Sequence, residues 1–393
     1  MTPLAVAAAA FCLVTTVVHV VSLGVAALRC RQPRARVAPA VHAPPVTIIR
    51  PVCRVDNFER ETLASSFALD YPEYEIVFCV ARADDPVAVI VRELIAQHPG
   101  HRATLLVGED HRSCNPKLNN VLKGWDAARH RWIILADSNV LMPVDYVQRL
   151  MQRWRPDTGL VCSMPIGSRP GNVWASLECA FLNTFEARWQ YVGETFGFGF
   201  AQGKSMLCRR DVVDRAGGLL RALGGEMAED AAFTKLVRDA GLHVHLVDAP
   251  FEQPLGTRGF GEVWSRQRRW ATLRRKTFPV MYLPEILTGS LFPLLAGAGA
   301  ARLAGWPEVP LLALLAAIWF GGEAVLARVA GWHVSLRMLV ACVIRDILLP
   351  VLWVEAWRRH DFTWRGNAMD IRQPPVAESR DLEPVDLVVS GTG

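Results

Sequence analysis

No two of the nine cysteines in this 393-residue chain are spaced as a CxxC pair, and none forms a cluster with metal-ligand spacing. A thiolate metal centre is thereby excluded. Cysteines 12, 30, 53, 79, 114, 162, 179, 208 and 342 lie scattered in apolar runs and are expected as small buried hydrophobes in a reducing compartment. A large excess of one charge is also missing: 43 basic against 38 acidic side chains leave a net charge of +5, and no nucleic-acid partner is expected. There is no internal repeat. Residues 3–28 contain no Asp, Glu, Lys or Arg. That run is too long, and too poor in preceding basic residues, for a cleaved signal peptide.

What is abundant is hydrophobicity, at 51% of residues, and it is unevenly placed. At about 1.5 Å per residue, the run at 3–28 can cross a hydrocarbon layer of about 30 Å. The chain is therefore expected to begin with a transmembrane anchor over residues 1–30. Arg29, Arg31, Arg34 and Arg36 follow directly, which puts the next domain on the cytoplasmic side, in a bacterial cell at the inner membrane. Residues 31–45 read as a Pro/Ala linker. Three later apolar stretches, 282–305, 309–330 and 334–354, are expected membrane segments within a region at 281–358. Arg345 and Asp346 inside the last are costly in lipid and should face protein or each other. An outside amino terminus and four spans would leave the tail outside, whereas Arg358, Arg359 and Arg365 suit the cytoplasm. One segment should then be re-entrant or interfacial, and 282–305, broken by Pro293 and four glycines, is the weakest. The tail spans 359–393; from Gln373 it is acidic, without aromatics, and expected to be disordered.

Between linker and membrane region, strands alternate with helices. Strands are predicted at 46–52, 74–81, 103–108, 131–137, 159–165, 203–212 and 243–248. Helices are predicted at 85–98, with Asp85 as N-cap, and at 115–129, with Asn115 as N-cap and Pro116 in the first turn. Others follow at 145–154, 173–190 and 227–241. Near-continuous apolar strands in this order predict a mostly parallel α/β sheet covered on both faces, spanning 46–250. Ligands of such sheets bind beyond the carboxyl ends of the strands, where Asp84, Asp85 and Asp137 fall. An interfacial helix is expected over 251–280.

The stretch "WIILADSNVLMP" at 132–143 ends a buried strand on a carboxylate. Asp137, with Asn139, suits a hard divalent cation bridging phosphates, although an Asx turn or helix cap would use the same residues. Asp230 lies in a helix's first turn, stabilised as an anion or simply placed there by the dipole. Arg266, Arg269 and Trp270 share one helix side and could clamp a diphosphate, or the basic helix could lie on anionic lipid. Lys117 is a lone cation early in a helix.

Taken in order, "ADDP" (83–86), "NPKLNN" (115–120), "LADSNV" (135–140), "AQGKSMLCRRDV" (201–212), "AED" (228–230) and "RQRRW" (266–270) resemble the ceramide glucosyltransferases, glycosyltransferase family 21. The resemblance covers about residues 2–370. It implies a GT-A domain, with a Rossmann-like mostly parallel sheet, that moves glucose or galactose from a UDP-sugar to the primary hydroxyl of ceramide, inverting the anomeric centre. Asp84 or Asp85 would contact uridine with Lys117 nearby, and Asp137, with or without Asn139, would hold Mg²⁺ or Mn²⁺. Asp230 would be the general base. Arg266, Arg269 and Trp270 would stabilise departing UDP and line the acceptor site. Another lipid acceptor, such as a hopanoid or diacylglycerol, and an inactive membrane scaffold are the alternatives.

Overall fold

The computed structural model describes residues 2–31, 36–109, 111–113, 115–224, 228–364 and 367–370. Two compact units emerge from an interleaved chain. An α/β unit is built from 33–166 and 193–254, and a helical unit from 1–32, 167–192 and 255–372.

Nine strands precede the carboxy-terminal helices: Val46–Pro51 (β1), Tyr74–Val80 (β2), Arg102–Val107 (β3), Trp132–Ala136 (β4), Thr158–Cys162 (β5), Ile166–Pro170 (β6), Ser205–Arg209 (β7), His243–Leu246 (β8) and Glu252–Gly256 (β9). Seven form one sheet in the order β3-β2-β1-β4-β7-β5-β8, while β6 and β9 make a separate two-stranded sheet. In the large sheet only β7 runs antiparallel, to both β4 and β5. The other pairings, β1 with β2 and β4, β2 with β3, and β5 with β8, are parallel. The predicted strand at 203–212 is thus shorter than expected, and Arg210–Asp214 turns helical.

Both sheet faces are covered, as the apolar strands require. On one, Val87, Ala88, Val91 and Leu94 of the helix Pro86–Gln97 pack against Phe78, Val80 and Leu105. On the other, Tyr146, Val147 and Leu150 pack against Val46, Ile48 and Ile134. The helix Pro116–Ala127 approaches the sheet so closely that a Cβ on Gly124 would lie 2.5 Å from Ile49 Cγ2 and 2.9 Å from Cys79 Sγ. Only glycine fits there.

Two buried cations tie the carboxyl ends of the strands. Lys123 donates to the carbonyls of Val80 (2.9 Å), the last residue of β2, and Gly108 (2.6 Å), just past β3. Arg50, within β1 and wholly buried, donates to the carbonyls of Thr62 (2.8 Å), Asp137 (2.9 Å), Ser138 (2.8 Å) and Val140 (3.1 Å). Burial pulls its guanidinium down to about 10, against the pull of nearby Tyr146, Glu59 and Asp137, so it stays charged at neutral pH. The turn after β4 is therefore shaped by an arginine from the neighbouring strand.

The helical unit has two helices long and apolar enough to cross a membrane, Pro3–Arg29 and Glu308–Val329. A third span results if Pro279–Leu287 and Leu291–Ala304, bent by 44°, count as one. The predicted segment 334–354 is a 23-residue helix, Leu336–Arg358, that lies outside this apolar set. The first helix buries Ala5, Cys12, His19, Leu23 and Ala26 but exposes Leu13, Val14, Val17 and Val21, the distribution of a helix with one side on protein and the rest against lipid.

Several of its buried charged groups pair with one another. Arg345 contacts Glu323 (2.8 Å) and Asp346 (2.7 Å), and Arg188 reaches Glu323 at 3.4 Å. Arg188 also donates to His19 Nδ1 at 2.8 Å, and Thr184 donates to Glu323 at 2.7 Å. Asp346 accepts from the amide of Ser290 at 2.8 Å, in the break of the bent pair. The expected facing of Arg345 and Asp346 is thus found. The expected helix at 251–280 is instead β9 followed by the helix Phe260–Thr277. Within the expected tail, Asp361–Trp364 pairs antiparallel with Asn367–Asp370, and the acidic stretch from Gln373 lies outside the described residues.

Replacing Arg50 by Met keeps the volume but strands four carbonyls. Because each unsatisfied buried group costs roughly 1–3 kcal/mol, the loss should be at least about 3 kcal/mol. Thermal unfolding of the detergent-solubilised variant should show a clear fall in midpoint; an unchanged midpoint contradicts the assigned role.

Candidate active site

Five charged side chains converge beyond the carboxyl end of β4, and backbone geometry places each of them. Asn115 caps the helix Pro116–Ala127, its Oδ1 accepting from the amides of Lys117 (3.0 Å) and Leu118 (3.2 Å). This fixes Lys117 in the first turn. Lys204 leads into β7, and its carbonyl accepts from the Asp137 amide at 3.0 Å, extending the β4–β7 ladder by one step. Glu229 and Asp230 open the helix Glu229–Asp239.

Asp137 is the centre. One of its oxygens meets Lys117 Nζ at 2.6 Å and the other meets Lys204 Nζ at 2.9 Å. Lys117 also pairs with Glu229 and donates to the Gly203 carbonyl at 3.3 Å, so its three donors are all engaged. Lys204 donates to Asn139 Oδ1 at 3.1 Å, and Asn115 Nδ2 donates to Glu229 at 3.3 Å. Asp230 accepts from the amides of Gly203 (3.2 Å) and Ala231 (2.8 Å). A Cβ on Gly203 would lie 3.1 Å from Glu229 Oε1 and 3.3 Å from Lys117 Nζ, which keeps this position small.

Burial alone would raise the Asp137 carboxyl, but Lys117 and Lys204 outweigh it and hold the group well below the usual carboxylate range. Burial would likewise lower Lys117, and Asp137 with Glu229 reverse this and push it up. Asp230 behaves oppositely. Burial and the charge of Glu229 raise it to about 6, against the pull of Lys117 and the two backbone amides. Two carboxylates of one cluster are therefore tuned in opposite directions, Asp137 held low by its lysines and Asp230 raised to about 6.

Of the residues singled out from sequence, the structure brings Lys117, Asp137, Asn139 and Asp230 together. Asp84 and Asp85 lie past β2 with other partners. Asp84 is exposed and paired with Arg82 at 2.6 Å. Asp85 caps its helix and accepts from the amide of Arg54 at 2.9 Å, holding a residue whose φ is +59°. Arg266, Arg269 and Trp270 sit on the helix Phe260–Thr277 in the helical unit. There Arg266 is neutralised by buried Glu178, and Trp270 packs onto the cluster containing Leu177, Phe181 and Leu349. The shared helix side expected of these residues is thus partly spent on an ion pair and on core packing.

Sequence reasoning missed Lys204 and Arg50. Arg50 had a signal, a guanidinium in the apolar strand "VTIIRPV", because a buried arginine requires fixed acceptors. Lys204, a single lysine between a glycine and a strand, had none.

The oxygens expected to hold a divalent ion, those of Asp137 and Asn139, are engaged by lysines in this structure. Both carboxylate oxygens and Asn139 Oδ1 already accept from ammonium groups. Among the described residues no group of three or more His, Cys, Asp or Glu is arranged to hold a metal.

The family model for Glycosyl transferase family 21 matches residues 14–377. The chain belongs to this family. It is a glycosyltransferase. Ceramide glucosyltransferase 3 of Caenorhabditis elegans is 25% identical over 369 residues, covering 92% of this chain and 79% of the relative. Ceramide glucosyltransferase 1 of the same organism is 24% identical over 93% and 79%. A ceramide glucosyltransferase of Komagataella phaffii is 30% identical over 50% of this chain and 43% of its own. Among solved structures, a mannosyltransferase from Pyrobaculum calidifontis in complex with GDP-Man and Mn²⁺ is 19% identical, covering 86% of this chain and 98% of its own, with a TM-score of 0.47. Glucosyl-3-phosphoglycerate synthase from Mycobacterium tuberculosis, with Mn²⁺, UDP and product, is 10% identical over 60% and 80%, with a TM-score of 0.37.

For this family 21 transferase, a base must be ionised to accept a proton, so raising the pH through the carboxyl's value switches it on. With Asp230 as that base, kcat/KM should fall about tenfold per unit below pH ~6 and level off above it. A profile flat from pH 5 to 8 would remove Asp230 from the role.

Proposed function

We propose that this chain transfers glucose from UDP-glucose to the primary hydroxyl of ceramide, inverting the anomeric centre, at the cytoplasmic face of a membrane. The acceptor rests on the two nematode relatives, which align with more than nine-tenths of the chain and are named as ceramide glucosyltransferases. The chemistry rests on one observation in the α/β unit: a carboxylate raised to about 6, Asp230, beside a permanently ionised carboxylate that carries two lysines.

A primary alcohol is a poor nucleophile at neutral pH. A carboxylate that takes its proton as the new bond forms speeds the step by roughly 10²–10⁴-fold. Asp230 suits that work because it is ionised at cytoplasmic pH yet basic enough to accept the proton. The sugar–phosphate bond breaks as the acceptor oxygen attacks, and the diphosphate leaves with added negative charge. Positive groups fixed beforehand stabilise this charge without reorganisation. No second carboxylate is assigned as a nucleophile, so the reading is a single displacement.

A membrane site follows from the acceptor. Each CH₂ withdrawn from a bilayer costs about 0.8 kcal/mol, so a two-chain lipid is met where it resides. The arginines at 29, 31, 34 and 36 after the first helix support the cytoplasmic side.

Membranes containing the enzyme should label ceramide from radioactive UDP-glucose, and leave diacylglycerol and a hopanoid unlabelled. Label on one of the latter alone reassigns the acceptor, and label from UDP-galactose alone reassigns the sugar. The variant Asp230→Asn should lose transfer by at least about 10²-fold while still binding UDP. Lost UDP binding would count against its assignment as base.

A further inference from the structure

We infer that Lys204, with the charge of Lys117 beside it, holds the donor's diphosphate, and that donor binding needs no divalent ion. The inference rests on the reading that the donor is a nucleoside-diphosphate sugar. Two ammonium groups carry the same formal charge as one divalent cation, and here both lie on a single carboxylate, at 2.6 and 2.9 Å. Asn139, the other ligand that "DSN" offers, accepts from the second of them at 3.1 Å. A metal ion entering at these oxygens would have to expel two cations already in place.

The lysines are built into the scaffold. Each side chain is only 15% exposed, so solvent screens their charge weakly. Lys117 is set by the Asn115 cap and by three oxygen partners. Lys204 is set by the ladder bond of its own carbonyl to the Asp137 amide. Asp137 thereby gains a role that needs no metal: it holds two ammonium groups close together in a partly buried place where they would otherwise repel.

A diphosphate entering beside Asp137 can take the Lys204 hydrogen bond now given to Asn139. That exchange replaces a neutral amide acceptor by an anionic oxygen, and charge-assisted bonds are roughly twice as strong as neutral ones. Lys117 would keep its carboxylates and act through its charge. Lys204 is thus a binding residue for the leaving group, and its charge opposes the negative charge that grows on the diphosphate as the sugar departs.

The test is UDP binding to the purified full-length enzyme in detergent, by calorimetry, in EDTA and in millimolar Mn²⁺. The wild type should bind in EDTA within about threefold of its affinity in Mn²⁺. Lys204→Met should weaken binding in EDTA by about tenfold or more, the equivalent of one charge-assisted bond at 1.4 kcal/mol per decade. Lys204→Arg should recover most of it, which separates loss of charge from loss of fold. Binding by the wild type that depends on Mn²⁺ overturns the inference, as does a Lys204→Met variant that binds like the wild type in EDTA. Should UDP bind as described while no lipid is glycosylated, the proposed reaction fails and the lysine site stands.

Discussion

One carboxylate shared by two lysines governs the end of the sheet. Asp137 leaves the apolar strand β4 as a partly buried anion, and such a group is costly in a folded protein unless it is paired. Here the pairing comes from separate parts of the chain: a helix start at residue 117 and the approach to β7 at residue 204. The surrounding features serve that meeting. The Asn115 cap orients one lysine, the β4–β7 ladder registers the other, and Arg50 clamps the turn that carries the aspartate. Glu229 joins through Lys117, and its proximity keeps Asp230 raised. The opposite tuning of the two aspartates is therefore one electrostatic arrangement.

Much of the scaffold was legible because apolar strands and capped helices leave local marks. Asp85 and Asn115 do cap their helices, and β1, β2 and β4 end within a residue of the expected positions. What was illegible depends on partners distant in sequence. Nothing local announces that β7 inserts antiparallel between β4 and β5, yet that insertion brings Lys204 to Asp137. The predicted helix at 173–190 was correct in kind but conceals a π-helical stretch, Ala180–Ala187. Spacing suggested that Arg266 and Trp270 act side by side; buried Glu178 and the apolar cluster under Trp270 are long-range facts that spacing does not encode.

The helical unit solves the opposite problem. It carries several ionisable groups at depths where none would be tolerated alone, and it closes them into one connected set: His19, Arg188, Glu323, Arg345 and Asp346. Buried pairs of this kind add little net stability compared with apolar packing, but breaking one partner is costly. Their value here is that they select which helices may associate, since a helix lacking its counter-charge would leave an unmatched ion in lipid.

That selection has a consequence for how the protein is made. The helix Pro3–Arg29 is made before the α/β unit, yet Trp319, which stacks on His19 at 4.0 Å, and Glu323, which shares Arg188 with it, are synthesised some three hundred residues later. Throughout translation of the α/β unit, this helix must reside in the bilayer with its imidazole not yet paired. Biogenesis is therefore a waiting problem: a helix made ahead of the α/β unit is completed only after it.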